Sequence, residues 1–292
     1  MSNGHGNHWE CLSKPVEDTI QSFIPATIAR GQVGESVRRV GMWFDRDTPS
    51  EETVRSVVLG DTPLGSMVLL VTDSPRNRSV LYSAYPCALA GAKQHLTLRE
   101  IRDWGNEVEA VLVGETPDGI DVAFFDTRYF LNRDHYRIGD TYDFDIAGLI
   151  YAARCTNDET ITVTDQERIA AIQDGMSGEP ERLPDGSLAP LVIHLAGCTG
   201  YAPTSNDYAE DAEFYCVIGS VVEFDLEGIR IFQITPESGE PNIPLPGVIF
   251  GAVSAFKDGY LPRLGDSIGG RLWTQGYLKE PRSGKSMSAG PA

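Results

Sequence analysis

The stretch "RIGDTYDFDI" at residues 137–146 decides the predicted fold, because "RLGDSIGGRL" at residues 263–272 repeats its pattern. In both copies a glycine-aspartate turn precedes a run in which apolar and polar positions alternate. Gly139 and Gly265 can adopt a positive φ at little cost, and the aspartate after each can bond nearby amides. Alternation with a period of two is typical of a β-strand. The repeat therefore predicts two similar turns that lead into two similar strands.

The fold expected from this pattern is α+β and β-dominated. Short capped helices would decorate antiparallel, barrel-like sheets, with the OB type as a candidate form. Ile146 and Leu272 hold the same position in the two copies and are expected to face inward. The repeat fits either two barrel-like units or two corners of one larger β-structure. Internal duplication and chance both remain open as its origin.

Changes in composition divide the chain into two β-units. Residues 1–173 are expected to hold the N-terminal helices and the first β-unit, and residues 190–280 the second. A loop rich in glycine and proline at 174–189 would link them. The tail at 281–292 is expected to be disordered.

Four segments carry the signals of a helix, namely a capping residue, an apolar side and a terminal glycine. They are residues 13–31, with a kink or an end at Pro25, and residues 50–60, 97–105 and 164–175.

Alternating segments predict the strands. The clearest is a hairpin over 107–126 that turns at Pro117–Gly119, where proline, aspartate and glycine supply turn chemistry. Buried strands are predicted at 65–73 and 191–197. Two further strands, 213–225 and 229–235, would join around Glu227–Gly228.

Charge and cysteine content limit the classes of function. The chain has 24 Lys and Arg against 42 Asp and Glu, a formal net charge of −18. Nucleic-acid and membrane-surface binding need a basic face, so neither partner is expected. Five scattered cysteines without a CxxC pair suit reduced thiols. With no secretory signal or transmembrane stretch in the pattern, a cytoplasmic location is expected.

An acidic cluster is the first candidate for chemistry. Asp143 and Asp145 share one side of a predicted strand and could bind Mg²⁺ or Ca²⁺ through oxygen ligands. The same alternation is typical of a solvated strand face, which is the favoured interpretation, so no metal and no cofactor is predicted. The remaining members of the cluster are Asp121, Asp126, Asp134 and Asp140.

A thiol and imidazole group is the second candidate, consisting of His194, Cys198 and Cys216. A catalytic cysteine needs an imidazole within hydrogen-bond reach and a third group to orient it. His194 lies in an apolar run that predicts a buried strand, and Cys216 lies between Tyr215 and Val217. Core packing is therefore the favoured interpretation of all three.

Aromatic residues are the third candidate, as either core or a patch that binds a protein partner. The residues assigned to the binding patch are Phe125, Tyr129, Phe130, Tyr136, Trp273 and Tyr277.

The function expected from these features is non-enzymatic: a cytoplasmic interaction module that binds a protein partner through an aromatic face of its β-structure. A metal- or thiol-dependent hydrolase is the alternative, and no catalytic residue is assigned. A less favoured alternative is an acidic mimic of nucleic acid that inhibits a DNA-binding partner. Mimicry would require carboxylates arrayed at the spacing of phosphates.

Overall fold

The computed structural model describes residues 5–13, 15–41, 49–76, 78–105, 107–174, 181–204, 209–237 and 245–278. As predicted, the structure is β-dominated, with antiparallel sheets and few short helices. Among the described residues, no helix combines the length and the apolar character needed to cross a membrane.

The strands are β1 (Gln32–Gly41), β2 (Ser50–Leu59), β3 (Leu64–Asp73), β4 (Arg78–Ala88), β5 (Ala92–Asp103), β6 (Ala110–Glu115), β7 (Asp121–Asp126), β8 (Thr141–Cys155), β9 (Thr160–Val163), β10 (Leu191–His194), β11 (Gly200–Pro203), β12 (Asp211–Leu226), β13 (Ile229–Pro236), β14 (Ile249–Ala252) and β15 (Ser267–Leu278). The α-helices are α1 (Val16–Arg30), α2 (Tyr129–Asn132) and α3 (Gln166–Asp174). The 3-10 segments are His5–Cys11, Arg133–His135, Val253–Ala255 and Lys257–Gly259.

Strand pairing within the described ranges gives three sheets. β1 to β4 form an antiparallel sheet in chain order, and β9 pairs with β10. In the nine-stranded sheet the pairings close on themselves twice. The first circuit runs β5-β6-β7-β15-β8 and returns to β5, and the second runs β12-β13-β14-β8-β15 and returns to β12. The two circuits therefore share β8 and β15, which pair with each other antiparallel.

The repeated turns occupy equivalent places in the two circuits. Each follows a three-stranded meander and leads into one of the two shared strands. The amide of Gly139 donates to the Leu98 carbonyl at 2.8 Å, and the amide of Gly265 donates to the Ile218 carbonyl at the same distance. Both glycines have positive φ, 92° and 83°. A register irregularity follows Leu98 in β5 and Ile218 in β12, so the two turns and their partner strands match in detail.

Each circuit has its own buried apolar cluster, with residues from all five of its strands. Ile146 belongs to the cluster of the first circuit and Leu272 to that of the second, and both are fully buried, which confirms their predicted inward orientation. A third cluster, including Trp9, Met67 and Trp273, joins the N-terminal part of the chain to the shared strands.

Two of the four predicted helices are wrong, because residues 50–60 form β2 and residues 97–105 lie mostly in β5. In β5 the residues that suggested a capping box have other partners. The Thr97 hydroxyl lies 3.0 Å from the Thr141 hydroxyl on β8, and Arg102 donates to the Glu100 carboxylate at 2.9 Å. Pairing on both sides of these strands therefore overrides the local helix signals.

The other local predictions fare better. The helix at 164–175 is present as α3, and α1 continues through Pro25 to Arg30 rather than ending there. The hairpin over 107–126 is confirmed, since β6 pairs with β7 and places Leu112 opposite Phe124. The predicted strands at 65–73, 213–225 and 229–235 correspond to β3, β12 and β13. Residues 191–197 form a strand only as far as His194.

The boundary between the predicted units crosses one sheet. In the nine-stranded sheet β8 of 1–173 lies between β14 and β15 of 190–280, and β15 lies between β8 and β7, so the two ranges are joined by β8 and β15. Residues 175–180 of the predicted linker and the whole predicted tail lie outside the described residues.

Candidate functional site

A long and largely exposed strand, β1, forms one edge of the four-stranded sheet. Within the described ranges, β1 pairs only with β2, so its other edge has no strand beside it. All residues at 32–36 are exposed, and Val33 and Val40 are 65% and 68% exposed. The opposite edge, β4, contacts the His5–Cys11 segment, β8 and β15, whereas β1 contacts α2 besides its partner β2. A ten-residue strand with an accessible edge is a template for pairing with another chain.

The register of β1 against β2 assigns its side chains to two faces. Val37 lies opposite Val54, which is buried, and Arg39 lies opposite Glu52, with 3.7 Å between Arg39 Nε and Glu52 Oε2. This inner face is directed toward the nine-stranded sheet. The outer face carries Arg38, because alternate residues of a strand point to opposite sides.

A cleft of about 230 Å³ lies between the inner face of this sheet and α2. Gly34 and Glu35 of β1 line its rim, and Met67, Phe130 and Leu131 give it apolar walls. The start of β1 therefore borders both the accessible edge and the cleft. An extended chain added at that edge would have alternate side chains on the side of the cleft.

Arg128 supplies positive charge at the rim of the cleft. Its guanidinium lies 4.5 Å from the centre of the Tyr277 ring and 3.6 Å from the Glu35 carboxylate. Its backbone amide donates a hydrogen bond to Asp126, at 2.9 Å. The contacts of the guanidinium with Tyr277 and Glu35 orient the Arg128 side chain above an otherwise mainly apolar surface.

Asp126 lies buried beneath this arginine, and its ionisation should make stability depend on pH. Burial raises the pKa of Asp126 to about 6, although hydrogen bonds from the Tyr136 hydroxyl and the Arg128 amide favour the charged form. The fold thus binds the proton more tightly than the unfolded chain. Protonated Asp126 therefore stabilises the fold relative to the unfolded chain. This contribution is complete below about pH 4 and is lost as the pH rises through about 6.

Ionisation of Asp126 should lower the unfolding free energy of the wild type by roughly 2 kcal/mol between about pH 4 and pH 6.5. We expect this decrease to be absent from Asp126→Asn, because the amide does not ionise. Urea unfolding at several pH values measures this change. Asp121→Asn, on an exposed position of the same strand, is the control and should retain the wild-type dependence. An unaltered pH dependence in Asp126→Asn would contradict this role.

The structure places the six predicted binding aromatics in the interior, each at most 6% exposed. These residues are Phe125, Tyr129, Phe130, Tyr136, Trp273 and Tyr277. They pack against one another and against the sheets, so they do not form a face that a partner could reach. Only Phe130, in the wall of the cleft, and Tyr277, under Arg128, belong to the surroundings of the candidate site.

The aspartates of the acidic cluster are dispersed. Asp143 lies 2.8 Å from His95, and Asp145 lies opposite Lys93 on β5. Asp126 is buried, whereas Asp140 lies in the turn before β8. In the described part of the chain, no group of three or more His, Cys, Asp or Glu side chains is placed to bind a metal ion.

The predicted burial of His194 is wrong, since among the described strands β10 pairs with β9 alone and His194 is exposed. Cys198 donates through its thiol to the His194 carbonyl at 3.0 Å, not to the ring. Cys216 packs in the cluster of the second circuit, where burial raises its pKa to about 12. A thiol there is held in its unreactive, protonated form.

Two features were missed by sequence reasoning. The first is β1 itself, whose segment "QVGESVRRVG" shows only weak alternation. The second is a hydrogen-bonded chain in which His8 Nδ1 lies 2.5 Å from the Tyr151 hydroxyl, which donates to Asp211 at 2.9 Å. His8 also stacks on Trp273. No local motif connects residues so far apart in the chain, and their contacts anchor the N-terminal segment to the shared strands.

Comparison of the chain with protein-family models, with curated proteins and with solved structures finds no match. The function is therefore inferred from the geometry of the chain itself.

Proposed function

We propose that this protein is a non-enzymatic, protein-binding module that takes an extended segment of its partner along the free edge of β1. The observation that carries the proposal is the exposure of this strand on its edge and on much of both faces. Backbone amides and carbonyls at such an edge can pair with an extended chain, and pockets beside it can select side chains.

The cleft provides the pocket. An inner-face side chain of the added segment, next to Gly34 and Glu35, would point toward the apolar walls formed by Met67 and Phe130. The volume of about 230 Å³ suits one large apolar side chain rather than a whole small-molecule substrate. Main-chain hydrogen bonds would then supply much of the affinity, and the cleft would supply specificity.

The alternatives have less support. A thiol-dependent hydrolase needs a reactive cysteine, whereas Cys216 is buried and Cys198 bonds to a backbone carbonyl.

We infer a cytoplasmic location from the five free cysteines, which suit a reducing compartment.

We also infer that each five-stranded circuit is a small closed barrel. In the first, the meander β5-β6-β7 is completed by β8 beside its first strand and by β15 parallel to its third, which is the strand order of an OB barrel. In the second, β15 and β8 exchange these two roles. The matched turns therefore favour internal duplication. In that case β8 belongs to the first unit and β15 to the second, and each strand also completes the barrel of the other unit.

Proline substitution on β1 tests the proposed function. Successive amides of a strand point to opposite edges, so of Ser36 and Val37 one amide points to the free edge and the other to β2. Proline at the first of these positions removes a donor at the free edge and keeps the pairing with β2, whereas proline at the second disrupts that pairing. Ten-residue random peptides, matched to β1 in length, are selected by display on the wild-type protein. We expect the proline variant that retains wild-type stability to bind them at least about tenfold more weakly.

Ala202→Pro is the control, because it places proline on the edge strand β11, away from the site, and should leave peptide binding unchanged. Undiminished binding to both β1 variants, or failure to select any peptide, would refute the proposed function.

A further inference from the structure

Two arginines that form no ion pair with any described residue lie side by side on the outer face next to the free edge. Arg38 of β1 pairs with Thr53, and Arg55 of β2 pairs with Ser36, so the two arginines are diagonal neighbours on one face. Both are exposed. In the described part of the chain no carboxylate lies within ion-pair distance of either.

The two arginines belong to a chain of net charge −18. The neighbouring arginines Arg39 and Arg128 each have a carboxylate within 4 Å, in Glu52 and Glu35 respectively. Like charges on adjacent strands repel, so Arg38 and Arg55 disfavour each other unless an anion lies between or beside them. Exposed Glu51, opposite Val40, lies diagonal to Arg38 on the side away from Arg55 and is not within ion-pair distance of it, so the positive charge is concentrated between Arg38 and Arg55.

We propose that the extended segment bound by β1 is acidic, with an aspartate or glutamate on its outer face beside Arg38 and Arg55. This inference rests on the proposed function. A side chain directly opposite Arg38 on an added strand would lie about 5 Å away between Cβ atoms. Arg55 is one strand further in, and the short side chain of Ser36 between it and the edge leaves room for its guanidinium to extend outward.

The exposed valines extend the recognition pattern. Val40 lies opposite Glu51 on the same outer face as Arg38, and Val33 lies opposite Val57 at the other end of β1. Apolar side chains of the segment can pack against each valine, on either side of the acidic position. The partner segment is therefore an extended strand whose outer face is apolar opposite Val40, acidic opposite Arg38, and apolar again opposite Val33, beyond the position opposite Ser36.

Charge at an exposed edge contributes mainly to the choice of partner and to the rate of association. Reversal of both charges should therefore change which peptides bind without abolishing binding. The test variant is Arg38→Glu with Arg55→Glu. The control variant is Arg168→Glu with Arg263→Glu, which makes the same change in net charge at exposed arginines on α3 and in the turn before β15.

Random ten-residue peptides are selected separately on the wild type and both variants, and their binding is measured at low and high salt. We expect acidic residues to be enriched on the wild type and the control, and basic residues on the Arg38/Arg55 variant. Peptides selected on the wild type should bind this variant about tenfold more weakly. Their affinity for the wild type should fall as salt rises.

Peptides that bind β1 without a charge preference, or that remain acidic on the Arg38/Arg55 variant, would overturn this inference and leave the proposed function standing. Peptides whose binding is insensitive to proline in β1 would refute both.

Discussion

Replacement of Gly270 by alanine is expected to lower the free energy of unfolding by about 3 kcal/mol or more. Gly270 lies in β15 opposite Ala153 of β8, within the pair of strands that the two circuits share. An added Cβ would collide with the carbonyl oxygen of Ala152 and would lie 2.8 Å from the Cα of Ala153. Backbone atoms of a paired strand cannot rotate away as a side chain can, so the strands must separate.

Gly200→Ala is the matched control, because a Cβ there meets only the Tyr215 ring at an ordinary 3.8 Å. Urea unfolding of both variants, followed by circular dichroism, measures the difference. Wild-type stability in Gly270→Ala would mean that β8 and β15 are not packed as closely as described.

Truncation of Trp273 is expected to cost about 3–5 kcal/mol of unfolding free energy. Its side chain is fully buried, with its ring 4.0 Å from that of His8 and 5.3 Å from that of Phe125. Trp273 thereby links the N-terminal segment, the first circuit and the shared strand β15. Removal of the indole would leave a cavity where these parts meet.

Trp104→Ala is the comparison, since Trp104 is 37% exposed and its removal should cost less than half as much. Thermal and urea unfolding of the two variants decide between the core role and the binding role predicted for Trp273. If Trp273→Ala kept wild-type stability and lost peptide binding, the assignment of Trp273 to the core would be incorrect.

The parts of the fold that the sequence predicted well depend on local chemistry. Gly139, Gly265 and Gly119 each have a positive φ, which glycine adopts at much lower cost than other residues. A glycine in the sequence therefore predicts each of these turns. Strand or helix identity was less predictable where cap-like residues occur by coincidence, as at Thr97 and Glu100. There the cross-strand partners that decide the structure lie more than ten residues away.

The candidate site was harder to predict because accessibility depends on which neighbours a strand has. Aromatic residues such as Phe125 and Tyr136 suit a core and a binding patch equally, and only the packed structure places them inside. For β1 the relevant property is a missing neighbour on one edge, which no pattern within "QVGESVRRVG" encodes. Likewise, Arg38 and Arg55 become neighbours only through the register of β1 and β2.

Amide hydrogen exchange on the full chain, with and without a selected peptide, tests the peptide-binding edge most directly. Addition of a strand would slow exchange at alternate amides within Gln32–Gly41, because only those amides point to the free edge. The two circuits should be unaffected. Unchanged exchange throughout β1 in a saturated complex, or protection confined to another part of the chain, would contradict the account.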